Sequence, residues 1–368
     1  MVVTSYEIYN QTHYMKAIFK LIVLFFLSTV TISCSKHNDD SSESTEPTEQ
    51  LPEYTIATYA VGYESDGVKK IAKIWKNGEA TSLTNGANDA SANSIFVAGE
   101  DVYVAGYENN GERDVAVLWK NGVKTPLSDG SRPAYLTSVV VSGNDVYASG
   151  IEIFPISNGE RYMARVWKNG IATSLNESKD NAWATAVFVA GNDVYVAGYE
   201  EDPVTKFLVA KIWKNGIATV LTNNGNGSKA SSVFISNGDV YATGLQYTNG
   251  ENVAYIWKNN VPTQLSNAAT SASATSVFVS ENEVYALGTV NELNHKRRAT
   301  LWKNGFPLKP LSMEGVDATA NSVYVCENDV YVGGSQDKFA IIWKNGEATK
   351  ITNGSTTAQV NGLYIIKN

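Results

Sequence analysis

Carboxylates and aromatic residues at matching places are the side chains of this chain most able to do chemistry. Glu64, Glu108, Glu152 and Glu200 follow closely similar residues, and Gln246 and Gln336 hold equivalent places. A ring of such groups could bind a cation or accept sugar hydroxyls. The plainer role is to accept hydrogen bonds from neighbouring loops. A second set combines π faces with charge: Tyr135 and Trp183, with Arg132, Asp180, Lys229 and Asp317. Aromatic faces beside polar groups suit a ligand that is partly apolar and partly hydroxylated. The alternative is that Tyr135 and Trp183 cap a core. Chemistry needing histidine is thin, because His13, His37 and His295 are the only three in 368 residues. One histidine beyond the N-terminal region builds neither a multi-histidine metal site nor a comfortable triad. No phosphate-cradling glycine loop or calcium loop is present, so no metal and no cofactor is expected. Two carboxylates acting as acid and base remain open.

These residues sit in a repeat. Trp-Lys-Asn-Gly occurs at Trp75, Trp119, Trp167, Trp213, Trp302 and Trp343, with Trp-Lys-Asn-Asn at Trp257. A period in the forties built of short β-type runs is the signature of propeller blades. Within residues 91–127, strands are predicted at 92–97, 101–108 and 114–119, with a fourth ending at Leu127. Asn121-Gly122 suits a type I′ hairpin turn, which needs positive φ at both residues. An alanine precedes each tryptophan by three residues (Ala72, Ala116, Ala164, Ala210, Ala254, Ala299, Ala340), leaving room for a bulky neighbour. Burying an indole removes about 150–250 Å² from water, or roughly 4–6 kcal/mol, so the tryptophans are read as inter-blade anchors.

The two ends of the repeat predict how the ring closes. Residues 58–64 match a second strand with no first strand before them, whereas residues 360–365 match a first strand after which the chain stops. Pairing them completes seven four-stranded antiparallel blades and leaves no orphan inner edge. The expectation is an all-β, seven-bladed β-propeller over 54–368, closed by its C-terminal strand. Loops at 153–161, 201–206 and 291–296 vary and share one face with the residues that begin the first strands. Variable loops on a rigid scaffold are where binding usually resides, so Arg132, Tyr135, Asp180, Trp183, Lys229 and Asp317 form the candidate ligand-binding set. Cys326 falls on a first strand and is read as a small buried residue.

Upstream of the repeat, Lys16 and Lys20 precede an apolar run at 21–30, too short to span a bilayer comfortably. Charged residues, an apolar stretch and small residues before Cys34 describe a secretory signal over 1–33, with Met15 the expected start. Thr31-Ile32-Ser33-Cys34 resembles the lipobox of bacterial lipoproteins, which implies acylation of Cys34. Residues 34–53 are rich in Ser, Asp, Glu, Thr and Pro, and predict a disordered acidic tether. Asp39 and Asp40 resemble the export tag of Bacteroidetes surface lipoproteins. That likeness implies an outer-membrane location facing outward.

The pattern Ala-x-x-Trp-Lys-Asn-Gly, followed by Val-Tyr-x-x-Gly-Tyr, resembles the bacterial extracellular HAF-type repeat from Tyr54 onward. This implies an exported repeat protein and defines no activity. Kelch and WD repeats fit less well, and the Ser-x-Asp-x-Gly-x-Thr-Trp box of sialidase-type propellers is missing. A net charge of −8 with scattered Lys and Arg argues against nucleic acid. The expected protein is a monomer held on a membrane by its lipid anchor. It is expected to bind an extracellular glycan or protein without catalysis; the alternative is a polysaccharide hydrolase or lyase with carboxylates near the channel mouth.

Overall fold

A computed structural model describes residues 54–176, 180–222, 225–292 and 296–368. The signal segment, Cys34, the tether and His295 lie outside the described residues. Among those described, all regular structure is strand, arranged as seven four-stranded antiparallel sheets. Blade 2 is typical: Ala90–Ala98 innermost, then Asp101–Asn109, Asp114–Lys120 and Val123–Pro126. Ring closure follows the strand arithmetic. The last strand, Thr357–Lys367, pairs antiparallel with Ile56–Ser65 and serves as the inner strand of blade 1. Beyond the ladder, Thr55 and Asn368 exchange backbone hydrogen bonds of 3.2 and 2.9 Å.

Each part of the repeated tetrapeptide has a structural cause. The seven tryptophans are 0–2 % exposed. Each packs in one cluster with the alanine of the preceding blade, as Trp119 does with Ala72, Trp167 with Ala116 and Trp75 with Ala340. A larger residue at the alanine would occupy the place of the indole. Lys120 lies 5.2 Å from the centroid of Tyr103 and 2.8 Å from Asp101, across the second strand. Asn121 (φ 51°) and Gly122 (φ 79°) form the hairpin turn. The Asn121 side chain accepts the Val102 amide at 2.8 Å and donates to Asp101 at 2.8 Å. The motif is therefore scaffold. The outermost strands are exposed, but shortness, Pro126, Pro262 and Pro307 blunt them against edge pairing.

Every inner strand carries a bulge, which skips Asn93, Thr137, Thr185, Ser231, Thr275, Asn321 or Asn361 in the register. In six of the seven, Ser231 apart, the freed side chain is seen bonded to the next blade. Asn93 donates to the Leu136 carbonyl at 2.8 Å, Thr137 to Ala184 at 3.0 Å and Asn321 to Val360 at 2.7 Å. Asn361 completes the circle by donating to Ala92 at 2.9 Å. The bulge also explains the repeated glycine of the second strand. A Cβ on Gly106 would lie 2.0 Å from the Ser91 carbonyl oxygen, and Gly150 meets Tyr135 in the same way. Further along the channel wall, Phe188, Phe234, Phe278, Tyr324, Tyr364 and Phe96 touch in sequence, with ring centroids 4.8–5.1 Å apart.

One expected loop is strand. Residues 153–161 continue the blade 3 hairpin, with Phe154 opposite Arg161 and Ile156 opposite Gly159. Ser157-Asn158 supplies the turn, and β-branched and aromatic residues extend the ladder to it.

Candidate functional site

The face opposite the tight turns is built where first strands begin and second strands end. Cross-strand pairs there are Gln359/Tyr63, Ser91/Tyr107, Tyr135/Ile151, Trp183/Tyr199, Lys229/Leu245, Ser273/Thr289 and Thr319/Ser335. Blades 1 to 4 contribute aromatics, whereas blades 6 and 7 contribute small hydroxylated residues. The mouth of the channel is thus two-sided.

On the aromatic side, Trp183 lies between two tyrosines. Its ring centroid is 5.1 Å from Tyr162 and 5.0 Å from Tyr199, at interplanar angles of 28° and 25°. Lys229 stands 5.1 Å from the Tyr199 centroid, a cation–π contact that extends the row to blade 5. Tyr135 meets Tyr107 edge to face at 5.2 Å. Burial pushes both of these phenols well above the ordinary tyrosine range, with the carboxylates of Asp114 and Asp89 adding to the effect. They stay neutral hydroxyls at any physiological pH. Each aromatic contact crosses or flanks a blade junction while the rings remain partly exposed.

Opposite lies a depression of about 260 Å³ whose lining includes Asn252, Ser273, Thr289, Asn291, Arg297 and Thr319. Among the described residues, no carboxylate lines it. Arg297 is held in place by Asp317, which accepts from Nε at 2.9 Å and from Nη2 at 2.6 Å. The guanidinium hydrogen bonds hold the Asp317 carboxyl below its usual range. The channel neck below holds about 180 Å³ and is lined mostly by neutral hydroxyl and amide side chains, among them Thr137, Thr185, Ser232 and Asn361.

The six candidate residues are distributed unevenly over this face. Tyr135, Trp183 and Lys229 occupy the same register on successive inner strands. Arg132 lies 3.6 Å from Glu152 and 4.5 Å from the Phe154 centroid, at the blade 3 hairpin. Asp180 is bonded to Lys206 at 3.1 Å, and Asp317 stands three blades from Trp183, paired with Arg297. The glutamates that matched in sequence do not converge, because each is paired within its own blade. Glu64 meets Lys73 at 3.3 Å, Glu108 meets Lys124 at 2.9 Å, Glu152 meets Arg165 at 2.8 Å, and Glu200 meets Lys211. Among the described residues, no group of three or more His, Cys, Asp or Glu is placed to hold a metal ion. Cys326 is half-buried at the tight-turn face, its thiol pushed up by burial. Sequence reasoning missed Tyr107, Tyr162, Tyr199 and Arg297. The signal available was variation at the residue before each second-strand glutamate or its equivalent, tyrosine in blades 1, 2 and 4 and Ile151, Leu245, Thr289 or Ser335 elsewhere.

No protein-family model matches the chain, and no curated protein matches it. Its architecture is that of the β-propellers. Among solved structures it is similar to the propeller domain of the Trilobed protease from Pyrococcus furiosus, which has an open velcro topology. That likeness is at 14% identity over 81% of this chain and 94% of the other, with a TM-score of 0.49. It is also similar to the acylaminoacyl peptidase of Pyrococcus horikoshii, at 12% identity over 81% and 51%, with a TM-score of 0.49. The sialidase of Trypanosoma rangeli matches at 10% identity over 78% and 56%, with a TM-score of 0.46. These are likenesses of fold.

Proposed function

We propose that this chain is an acylated envelope protein, anchored through Cys34, that binds a glycan at the channel mouth without transforming it. The observation that carries this reading is the pairing of a row of half-exposed rings (Tyr162, Trp183, Tyr199) with a carboxylate-free depression of hydroxyls, amides and one fixed guanidinium. Sugar rings have an apolar face of C–H bonds and a polar rim of hydroxyls, and this mouth offers a partner for each. Catalytic hydrolysis of a glycosidic bond ordinarily needs two carboxyl groups flanking it. Beside the aromatic row, Glu200 is engaged by Lys211 and Glu160 accepts the Tyr162 hydroxyl at 3.3 Å; beside the depression, Asp317 is engaged by Arg297 and Glu251 accepts from Ser271.

The test is a glycan array followed by calorimetry with Trp183→Ala. Aromatic stacking contributes about 0.5–1.5 kcal/mol beyond area burial, so affinity should drop between about twofold and tenfold, at about 1.4 kcal/mol per decade. Binding to a protein and to no glycan would change the ligand class. Product release from a bound polysaccharide would replace the reading with a catalytic one.

A further inference from the structure

The face that carries the tight turns has a feature which neither the repeat nor the channel mouth uses. Directly after the Asn-Gly or Asn-Asn turn, blades 2 to 6 place Val123, Ile171, Ile217, Val261 and Phe306 at the outer rim. These side chains are 65–75% exposed. Blades 1 and 7 have Glu79 and Glu347 at the same position. A β-branched residue opening a strand needs no explanation by itself. Five apolar residues at one register of consecutive blades, one of them phenylalanine, follow an arc of the rim, whereas scattered apolar surface residues are ordinary.

The chain enters the propeller on this same face. Thr55 pairs with Asn368, and Lys367 stands 3.9 Å from the Tyr54 ring. Lys367 and Asn368 line one hollow with Gly99 and Glu327 of the tight turns. Cys34 is twenty positions upstream of Tyr54. Even fully extended, that length reaches at most about 70 Å. A lipid on Cys34 would thus be joined to the propeller at the tight-turn face.

We propose that this apolar arc rests on the lipid surface, tilting the propeller onto blades 2 to 6 and presenting the channel mouth outward. The inference depends on the acylation of Cys34 proposed above. Its driving force is apolar contact. The lysines beside the arc are already engaged, as in Lys168–Asp145 at 2.7 Å, Lys214–Asp193 at 2.7 Å and Lys258–Asp239 at 2.7 Å. Docking should consequently be as strong on zwitterionic as on anionic vesicles and insensitive to salt.

The experiment uses the full acylated chain in a Cys326→Ser background, reconstituted on phosphatidylethanolamine/phosphatidylglycerol vesicles containing brominated lipid. A bimane label is placed at the rim through Ile217→Cys or on the opposite face through Ile156→Cys. The rim label should be quenched severalfold more than the other. Combining Ile171→Glu with Val261→Glu should abolish the difference while the protein still floats with vesicles. Equal, weak quenching at both labels in floating protein would overturn the docking and leave the anchor standing. Mass spectrometry of the N-terminal peptide decides the anchor separately: an unacylated Cys34 removes both. A rim label shielded without lipid, in protein sedimenting as a dimer, would reassign the arc to self-contact.

Discussion

Deleting residues 357–368 strips the inner strand from blade 1 and bares one edge of Ile56–Ser65. The loss can be sized from the parts. Val360, Leu363 and Ile365 are buried in the cluster that holds Trp75 against blade 7, and each contributes about 1.5–3 kcal/mol. The ladder adds hydrogen bonds of about 0.5–1.5 kcal/mol each, and the Asn361 bridge to Ala92 disappears with them. The total is on the order of 10 kcal/mol, comparable with the whole stability of a typical domain, roughly 5–15 kcal/mol. Circular dichroism and tryptophan emission should therefore show loss of the cooperative melt, with Trp75 exposed. Because outright unfolding is uninformative about detail, Leu363→Ala provides a graded version. It should cost about 2–5 kcal/mol, read as a lower denaturant midpoint at unchanged slope. A truncated chain that melts at the temperature of the intact one would refute the closure argument.

Two further outcomes follow from the same geometry. Gly150→Ala sets a methyl against the Tyr135 carbonyl oxygen; forced overpacking costs about 1–3 kcal/mol, measurable as a reduced unfolding midpoint, whereas a neutral result would contradict the close bulge. Stability should also fall at both pH extremes. Asp101, Asp145, Asp193, Asp239 and Asp329 are held below the usual carboxylate range, chiefly by hydrogen bonds from Lys120, Lys168, Lys214, Lys258 and Lys344. A carboxyl depressed in the folded state stabilises above about pH 4, and that contribution is lost as pH falls through the lower folded values. The lysines are raised by the same bonds. Their contribution is complete below about pH 10 and is lost as pH rises through the folded values. A melting temperature unchanged between neutral pH and pH 2 would contradict the belt of pairs.

Architecture was legible because a tryptophan anchor, a fixed turn and a close-approach glycine must recur wherever blades stack. Residues 360–365 were readable as a displaced first strand for the same reason. The bulge positions were harder. Asn93, Thr137 and Asn361 share only polarity, and what they bond is a carbonyl on another blade, which no local pattern reveals. The mouth was half legible. Tyr135 and Trp183 stood out as large residues at strand starts, yet the rings they touch come from other strands, Tyr162 on a neighbouring blade. Charge was the least legible property. Asp317 and Asp180 read as available groups in the sequence, but Arg297 and Lys206 reach them across loops whose course sequence does not specify. Residues 153–161 looked like a binding loop because length and polarity hide a hairpin that continues its ladder.

Seven of the eight tryptophans are buried between blades, and Trp183 alone faces the mouth. Fluorescence titration with an array-selected glycan therefore reports on one place. The account predicts a saturable change in emission that vanishes in Trp183→Phe while the melting temperature is kept. Saturable binding with an identical emission change in Trp183→Phe would place the ligand elsewhere and contradict the account.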